Sequence, residues 1–401
     1  MDEDGGELPN NMSCILSAQQ LLGCNEIVDH PVVTIENGRI VRIRSRAGEE
    51  RPSAFRGTTL DFPGATLVPA YLDIHVHGAG GHDVMEDAPH ALEAIGSFLA
   101  SRGVGAYLPT TVTSSTEQTL HALDRLAGEI ERPAAPPVAV PLGIHLEGPF
   151  LSHAKRGVHP PDLLRQPSIP LFEKFWQAAR GRIRLMTIAP ELPEALTLIE
   201  HASALGVVCS LGHSNAAYAE AEAGFDAGAR SATHTFNAMR ALGHRDPGVA
   251  AYVLDNEDLF AEIICDGIHV DPAMVRLFFR SKGPERSILI TDGIGATGMP
   301  DGRYKLGDLA VTVEEGRCTL DGFPGTLAGS VLTMDRAVAN FSAFTGCGVG
   351  AAAALAARNP ARLLGLEDEW GTLEEGREAN LAVLTPAGEL VQLFRAGQPI
   401  L

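Results

Sequence analysis

Positive charge is what this sequence has least of. Its 401 residues hold 31 lysines and arginines against 50 aspartates and glutamates, a formal net charge of −19. Lysine occurs only at Lys155, Lys174, Lys282 and Lys305. A field of that sign opposes nucleic acid and anionic membrane surfaces as partners. It also obliges any anionic substrate to find cations of its own locally. Long apolar runs are missing as well. None approaches the roughly 20 residues that span a bilayer. The opening MDEDGGELPNN is acidic and polar and carries no signal-peptide pattern. The six cysteines, Cys14, Cys24, Cys209, Cys265, Cys318 and Cys347, include no C-x-x-C pair. They suggest neither a disulfide framework nor a zinc finger, but small buried hydrophobes in a reducing compartment. A cytoplasmic location is expected. There is no G-x-S-x-G elbow and no serine obviously paired with a base.

What is present is ordinary for a soluble globular chain: 45% hydrophobic and 20% charged residues. That is enough for one large domain and a small one. Residues 12–66 contain short β-like runs, with Asn37-Gly38 as a hairpin signal. The C-terminal stretch, NLAVLTP, then Ala387-Gly388, then ELVQLFRAGQPIL, looks alike, so the two ends are expected to pair into one small sheet domain. Between them, apolar runs at 67–76, 104–109, 141–146, 183–189, 207–212, 230–235, 261–265 and 287–291 alternate with helix-like stretches. Eight such alternations predict an α/β fold, a (β/α)8 TIM-type barrel. The expected division is 1–66 and 367–401 for the small β-domain and 67–366 for the barrel, with a hairpin inserted at 302–325 and helices over 330–366.

Polar residues collect where these runs end. The stretch LVPAYLDIHVHG closes on His75 and His77, which period two places on one face of a strand. Neutral imidazoles at the mouth of a buried strand can share a cation. Later ends carry HLEGP with Glu147, LGHSN with His213, HTFNAM with His234, CDGIH with His269 and TDG with Asp292. In such barrels chemistry sits on this rim. Two imidazoles and a carboxylate make a standard catalytic zinc set, which Glu147, His213 and His234 could supply. His75 and His77 could hold a second ion with Glu147 bridging. No strand-like run ends in lysine, so a carbamylated lysine is not available as the bridge. Asp292 would face a water made acidic by the cation and shuttle its proton, giving hydrolysis without a side-chain nucleophile.

HLEGPF with a histidine twelve positions beyond its glutamate, LGHSNA, HTFNAM, DGIHV, TDG and TLAGS, in that order, resemble the N-acetylglucosamine-6-phosphate deacetylases of the amidohydrolase superfamily. The likeness spans 67–335, and the family's small β-sandwich built from both termini fits the two β-rich ends. It implies metal-dependent hydrolysis of the acetamide of N-acetyl-D-glucosamine 6-phosphate. It further implies Glu147, His213 and His234 as main metal ligands, Asp292 as acid/base and His159 as the group polarising the amide carbonyl. Asn237 and the backbone of Ala238 are implied as substrate contacts. Arg245 and His269 are implied to hold the phosphate, with a neighbouring subunit of a homodimer completing the site. Leu327, Ala328 and Gly329 are implied as a loop lining the sugar pocket. Members differ in keeping the H-x-H pair, so one or two divalent ions per subunit are expected; imidazole and carboxylate suit zinc, iron and others. A related substrate such as N-acetylgalactosamine 6-phosphate, or a non-catalytic barrel serving as a binding protein, are the alternatives. Gly346–Ala351 mimics a dinucleotide loop but follows a helix-like run and is read as a turn between helices. His82, His153 and His244 are read as loop histidines.

Overall fold

The computed structural model describes residues 13–23, 26–46, 57–88, 90–132 and 138–400. Cys24 and the acidic leader lie outside them. Eight parallel strands form the barrel: β1 (Tyr71–Val76), β2 (Val104–Thr111), β3 (Ile144–Glu147), β4 (Ile183–Ile188), β5 (Val208–Leu211), β6 (Ser231–Ala232), β7 (Phe260–Ile264) and β8 (Ser287–Ile290). Each pairs in parallel with the next from β1 to β8. Nearly every strand residue is buried, as expected of strands covered on both faces.

A helix follows every strand: α1 (Ala91–Ala100), α2 (Thr116–Ile130), α3 (Ile169–Ala178), α4 (Ala195–Ala204), α5 (Tyr218–Asp226), α6 (Val249–Asp255), α7 (Pro272–Arg286) and α8 (Met334–Thr345). The second helix shows why. Ser115 and Gln118 cap each other's backbone N–H at its start, and Thr119, Ala122, Leu123, Leu126 and Ala127 form one buried face. Gly283 breaks α7 with φ 67° ahead of Pro284, where no helix can run on undisturbed. Two short helices, α9 (Val349–Ala356) and α10 (Arg358–Leu363), follow α8. Gly346–Gly348 is the turn between α8 and α9, as its context suggested.

The seam between β8 and β1 closes by few bonds. Val76 bridges Gly293, the Asp292 N–H donates to His75 O at 2.9 Å and the His77 N–H to Gly293 O at 2.7 Å. Below them the Thr291 hydroxyl donates to Asp73 Oδ2 at 2.6 Å, with both residues buried.

Both termini join one eight-stranded sheet, in which strand Leu381–Leu384 pairs antiparallel with Thr58–Pro69, itself parallel to Cys14–Leu22. The sheet curls over its own core of Leu16, Val33, Ile35, Leu67, Leu381 and Phe394. Asn37 and Gly38 both have positive φ, 51° and 76°, the geometry of a tight hairpin turn. Two expectations change here. The run 67–76 is not one strand: Leu67 and Val68 belong to the terminal sheet, and the barrel begins at Tyr71. Pro69 ends the first ladder because it has no N–H to donate. The insertion is larger than a hairpin, a four-stranded antiparallel sheet of Gly302–Leu306, Leu309–Glu314, Arg317–Leu320 and Phe323–Leu327. It packs Leu306, Val311, Val313 and Cys318 on Val112, Ile294 and Ala296, and the Gly307 N–H donates to Asp83 at 2.8 Å. Among the described residues no helix is long and apolar enough to cross a membrane.

Thr291→Val deletes the side-chain tie across the seam and leaves the Asp73 carboxylate short of a donor. A loss of about 1–3 kcal/mol is expected, read as a lower thermal midpoint. An unchanged midpoint would mean that the backbone bridges alone hold the barrel shut.

Candidate active site

The polar strand ends meet at the C-terminal rim of the barrel. His75 and His77 stand on one face of the end of β1; Glu147 ends β3. His213, His234 and Asp292 follow β5, β6 and β8, all three with positive φ, 49°, 30° and 51°. That conformation turns each side chain from the strand direction toward the barrel axis. All six side chains are buried.

Glu147 lies at the centre. Its Oε1 is 3.3 Å from His213 Nε2, 3.2 Å from His234 Nε2 and 3.5 Å from His75 Nε2. Its Oε2 is 3.2 Å from His77 Nε2 and 3.6 Å from His159 Nε2. His213 and His234 bring their Nε2 atoms to 3.1 Å, and His75 and His77 theirs to 3.3 Å. Asp292 Oδ1 is 3.2 Å from His77 Nε2 and 3.4 Å from His75 Nε2.

The far side of three of these rings fixes their tautomer. His77 Nδ1 donates to Thr110 O at 3.1 Å and His213 Nδ1 to Lys155 O at 2.9 Å. His75 Nδ1 donates to Glu262 Oε2 at 3.2 Å. These partners only accept, so in the neutral rings of His75, His77 and His213 the Nε2 atoms carry lone pairs turned into the cluster. His159 is the opposite case. The Thr113 hydroxyl and amide N–H both point at its Nδ1, at 2.7 and 3.3 Å. Its proton therefore sits on Nε2, the nitrogen turned toward Glu147 and the cavity. His159 is a donor there, although its position beside Glu147 and His213 would otherwise admit it as a ligand.

Burial alone would lower the proton affinity of His77, yet the Asp292 and Glu147 carboxylates raise its pKa to about 9. His75 is likewise raised well above its ordinary value, burial being outweighed by the charges of Glu147 and Asp292. Burial acts to raise Asp292, but the charge of His75 and the hydrogen bond from His77 pull it down to about 2. Glu147 is held well below the usual carboxylate range against its burial, first by the charge of His75. His213 is lowered to about 4, chiefly by burial. The cluster thus calls for positive charge at its centre. Its donors fit a divalent ion: ligands at about 2.0–2.1 Å in a tetrahedral set stand about 3.3 Å from one another, the spacing seen among Glu147, His213 and His234 and again among His75, His77 and Asp292.

A cavity of about 320 Å³ opens over this cluster, within the range of small-ligand pockets, about 300–1,000 Å³. Asn237, Ala238, His269, Leu327 and Gly329 line it, as expected, with His77, Glu147, His159, His213, His234 and Asp292. Val112, Val158 and Leu306, which no quoted motif marks, also line it, as does Thr326 at the head of TLAGS. His269 is bonded to Asp266 at 2.6 Å and still faces the cavity. Ala328 is not among the cavity-lining residues: it is wholly buried and packs into the core under the inserted sheet. Arg245 is exposed and stands outside the cavity of the single chain. His82 is bonded to Glu86, and His153 and His244 are exposed, all away from the cluster. Two buried carboxylates behind the cluster were not singled out from the sequence, Asp73 and Glu262. A charged residue inside an apolar strand run (YLDIHV, FAEII) was the available signal.

A closed parallel barrel with a histidine–carboxylate centre on its C-terminal rim defines a class of metal-centred barrel enzymes. The chain belongs to the amidohydrolase family, whose model matches residues 66–400. It is 37% identical over 387 residues to the N-acetylgalactosamine-6-phosphate deacetylase of Escherichia coli O157:H7, covering 96% of this chain and 99% of that protein. It is 35% identical to the N-acetylglucosamine-6-phosphate deacetylase of Bacillus subtilis (strain 168), covering 92% of each. Among solved structures it resembles a variant of the Mycobacterium smegmatis N-acetyl-D-glucosamine-6-phosphate deacetylase in complex with N-acetyl-D-glucosamine 6-phosphate. That likeness has a TM-score of 0.89 at 34% identity and covers 97% of this chain and 100% of that one.

Stripping divalent ions with a chelator is expected to lower the thermal midpoint by several degrees, and adding zinc to restore it, because ion binding stabilises the folded chain by RT ln(1 + [L]/Kd), about 4 kcal/mol at a thousandfold excess. A midpoint indifferent to both treatments would show that these donors hold no ion.

Proposed function

We propose that this chain hydrolyses the acetamide of N-acetyl-D-glucosamine 6-phosphate to D-glucosamine 6-phosphate and acetate, in amino-sugar breakdown or recycling. One observation carries the reading. Asp292 and the Nε2–H of His159 face the same cavity as the Glu147–His213–His234 cluster, in a chain of this family. A barrel that only binds sugar would need no such base beside such a donor set.

Glu147, His213 and His234 would hold a divalent ion, and His75 and His77, with Glu147 between the two sets, a second; zinc suits these donors best, with iron also compatible. The ion supplies Lewis acidity that makes a water acidic near neutral pH. Asp292, kept ionised by its surroundings, takes the proton of the attacking water. His159 donates from Nε2 to the acetamide oxygen as negative charge gathers there. The water oxygen bonds to the carbonyl carbon, the C–N bond breaks, and Asp292 returns the proton to the departing amine. Asn237 and the backbone of Ala238 contact the sugar, between Leu327 and Gly329 on the opposite wall.

The phosphate end is incomplete in one chain. Among the described residues no lysine or arginine lines the cavity. Arg245 projects from a compact loop in which Leu242 bridges Pro247 and Arg240 pairs with Asp246 at 2.5 Å. The loop exposes Leu242 beside His244 and Arg245. The reading therefore includes a homodimer in which Arg245 of one copy, a planar fork suited to phosphate oxygens, joins His269 of the other. The 37% identity to a relative named for the galactosamine substrate favours N-acetylgalactosamine 6-phosphate as the second reading.

Acetate release by the metal-loaded protein, measured on both sugar phosphates and on the unphosphorylated sugars, tests this. Release from neither phosphate would end the reading, and a preference for the galacto sugar would move it to the second. Asp292→Asn is expected to cut kcat by about 10²- to 10⁴-fold with bound metal retained; full activity in that variant would exclude the assigned base. Arg245→Ala is expected to raise KM far more than it lowers kcat, and an unchanged KM would remove Arg245 from the phosphate site.

A further inference from the structure

Glu262 stands in the middle of β7, where every residue is buried, and is itself wholly inaccessible. It does not line the cavity, and no step above uses it. A carboxylate taken out of water is costly unless it is bonded. Its Oε2 accepts from His75 Nδ1 at 3.2 Å and from the backbone N–H of His234 at 3.2 Å. Its Oε1 has no partner among the described residues. One buried acid is thus tied both to a ring from β1 and to the main chain of a residue that follows β6.

The bond to His75 differs in kind from its counterparts. His77 and His213 are oriented by main-chain carbonyls, those of Thr110 and Lys155. His75 owes its Nδ1–H tautomer to a side chain, so its orientation alone can be removed by substitution. Without an acceptor at that place the ring is free to carry its proton on Nε2, where it would meet the lone pair of His77 only 3.3 Å away and offer nothing to an ion.

We infer that Glu262 is a positioning residue that holds His75 with its Nε2 lone pair toward His77 and Asp292, and so makes the β1 pair competent for a second divalent ion. The inference rests on the metal-centred reading above, but it is read on ion binding and not on turnover. Carboxylates bonded behind a ligating histidine fix its ring and raise its basicity, and their loss costs about 10- to 100-fold in metal affinity.

The test uses wild type, Glu262→Gln, Glu262→Leu and His75→Asn, each stripped of metal and titrated with Zn²⁺ by calorimetry. Thermal midpoints are recorded with and without the ion. Wild type is expected to bind two equivalents. Glu262→Gln keeps an acceptor oxygen without the charge, and should keep the tighter equivalent while weakening the other by about 10- to 100-fold. Glu262→Leu and His75→Asn should bind one. Should Glu262→Leu fail to fold, the Gln and Asn variants decide. A purely structural role would lower the midpoint equally with and without Zn²⁺, whereas positioning reduces the rise that Zn²⁺ brings. Two equivalents bound by the Glu262 variants at wild-type affinity overturn the inference, as does a wild type that binds only one. A wild type that binds two and releases no acetate would sink the hydrolytic reading and leave this one standing.

Discussion

Glu147 is the group on which the site depends. One carboxylate, 3% exposed, has five imidazole nitrogens within 3.6 Å. Neither party tolerates this alone. A desolvated carboxylate needs positive charge or donors, and the lone pairs of His75 and His77, whose protons are committed elsewhere, repel at 3.3 Å. A cation at their centre satisfies both, and without one, protons must serve, which is why His75 and His77 are raised so far. Only a closed barrel brings residues from positions 75 to 292 to one point, because adjacent strands stand about 4.8 Å apart and their ends converge on one axis.

The convergence has a conformational cost. His213, His234, Phe236, Ala238 and Asp292 all take positive φ without being glycine, at about 1–3 kcal/mol each. Such strain persists only where the surroundings leave no alternative. Here the strands below are locked by a continuous aliphatic core, and the loops are tied back. The Ser214 N–H donates to Ala238 O at 3.0 Å, and the Ser330 N–H to Asp292 O at 2.7 Å. The same turns that strain the backbone aim the functional side chains inward.

Most of this was legible in the sequence because each strand end writes its chemistry in a short local pattern. Period two put His75 and His77 on one face, and apolar runs of five to ten residues alternating with helical ones gave the barrel. What stayed hidden depends on three-dimensional neighbours. The break at Pro69 looks like continuous strand because both halves are equally apolar, one for the terminal sheet and one for the barrel. Ala328 and Leu327 are adjacent in a motif, but only the packing of the inserted sheet on the barrel tells which one faces the cavity. Glu262 lies in no motif at all. Its meaning arises from His75, 187 positions away. Thr113 is similar: nothing in its sequence shows that it sets the proton of His159.

The same division explains why the reaction is easier to read than the sugar. The cluster acts on an acetamide, which the gluco and galacto substrates share, and relatives named for either sit at 35–37% identity. The rest of the cavity wall comes from elsewhere: Leu306, Thr326 and Leu327 from the inserted sheet and its edge, and Asn237 and Ala238 from the turn after β6. The two sugars differ in the orientation of one hydroxyl, which a single polar contact can read, and buried polar groups left unpaired by the wrong substrate discriminate strongly. Among the described residues Thr326 is the one hydroxyl on the inserted wall of the cavity. It belongs to a strand held to the barrel by packing and a few hydrogen bonds, not by the metal-centred cluster. Substrate choice therefore rests on walls apart from Glu147 and its histidines, and the cluster that reveals the chemistry carries no record of which sugar it serves.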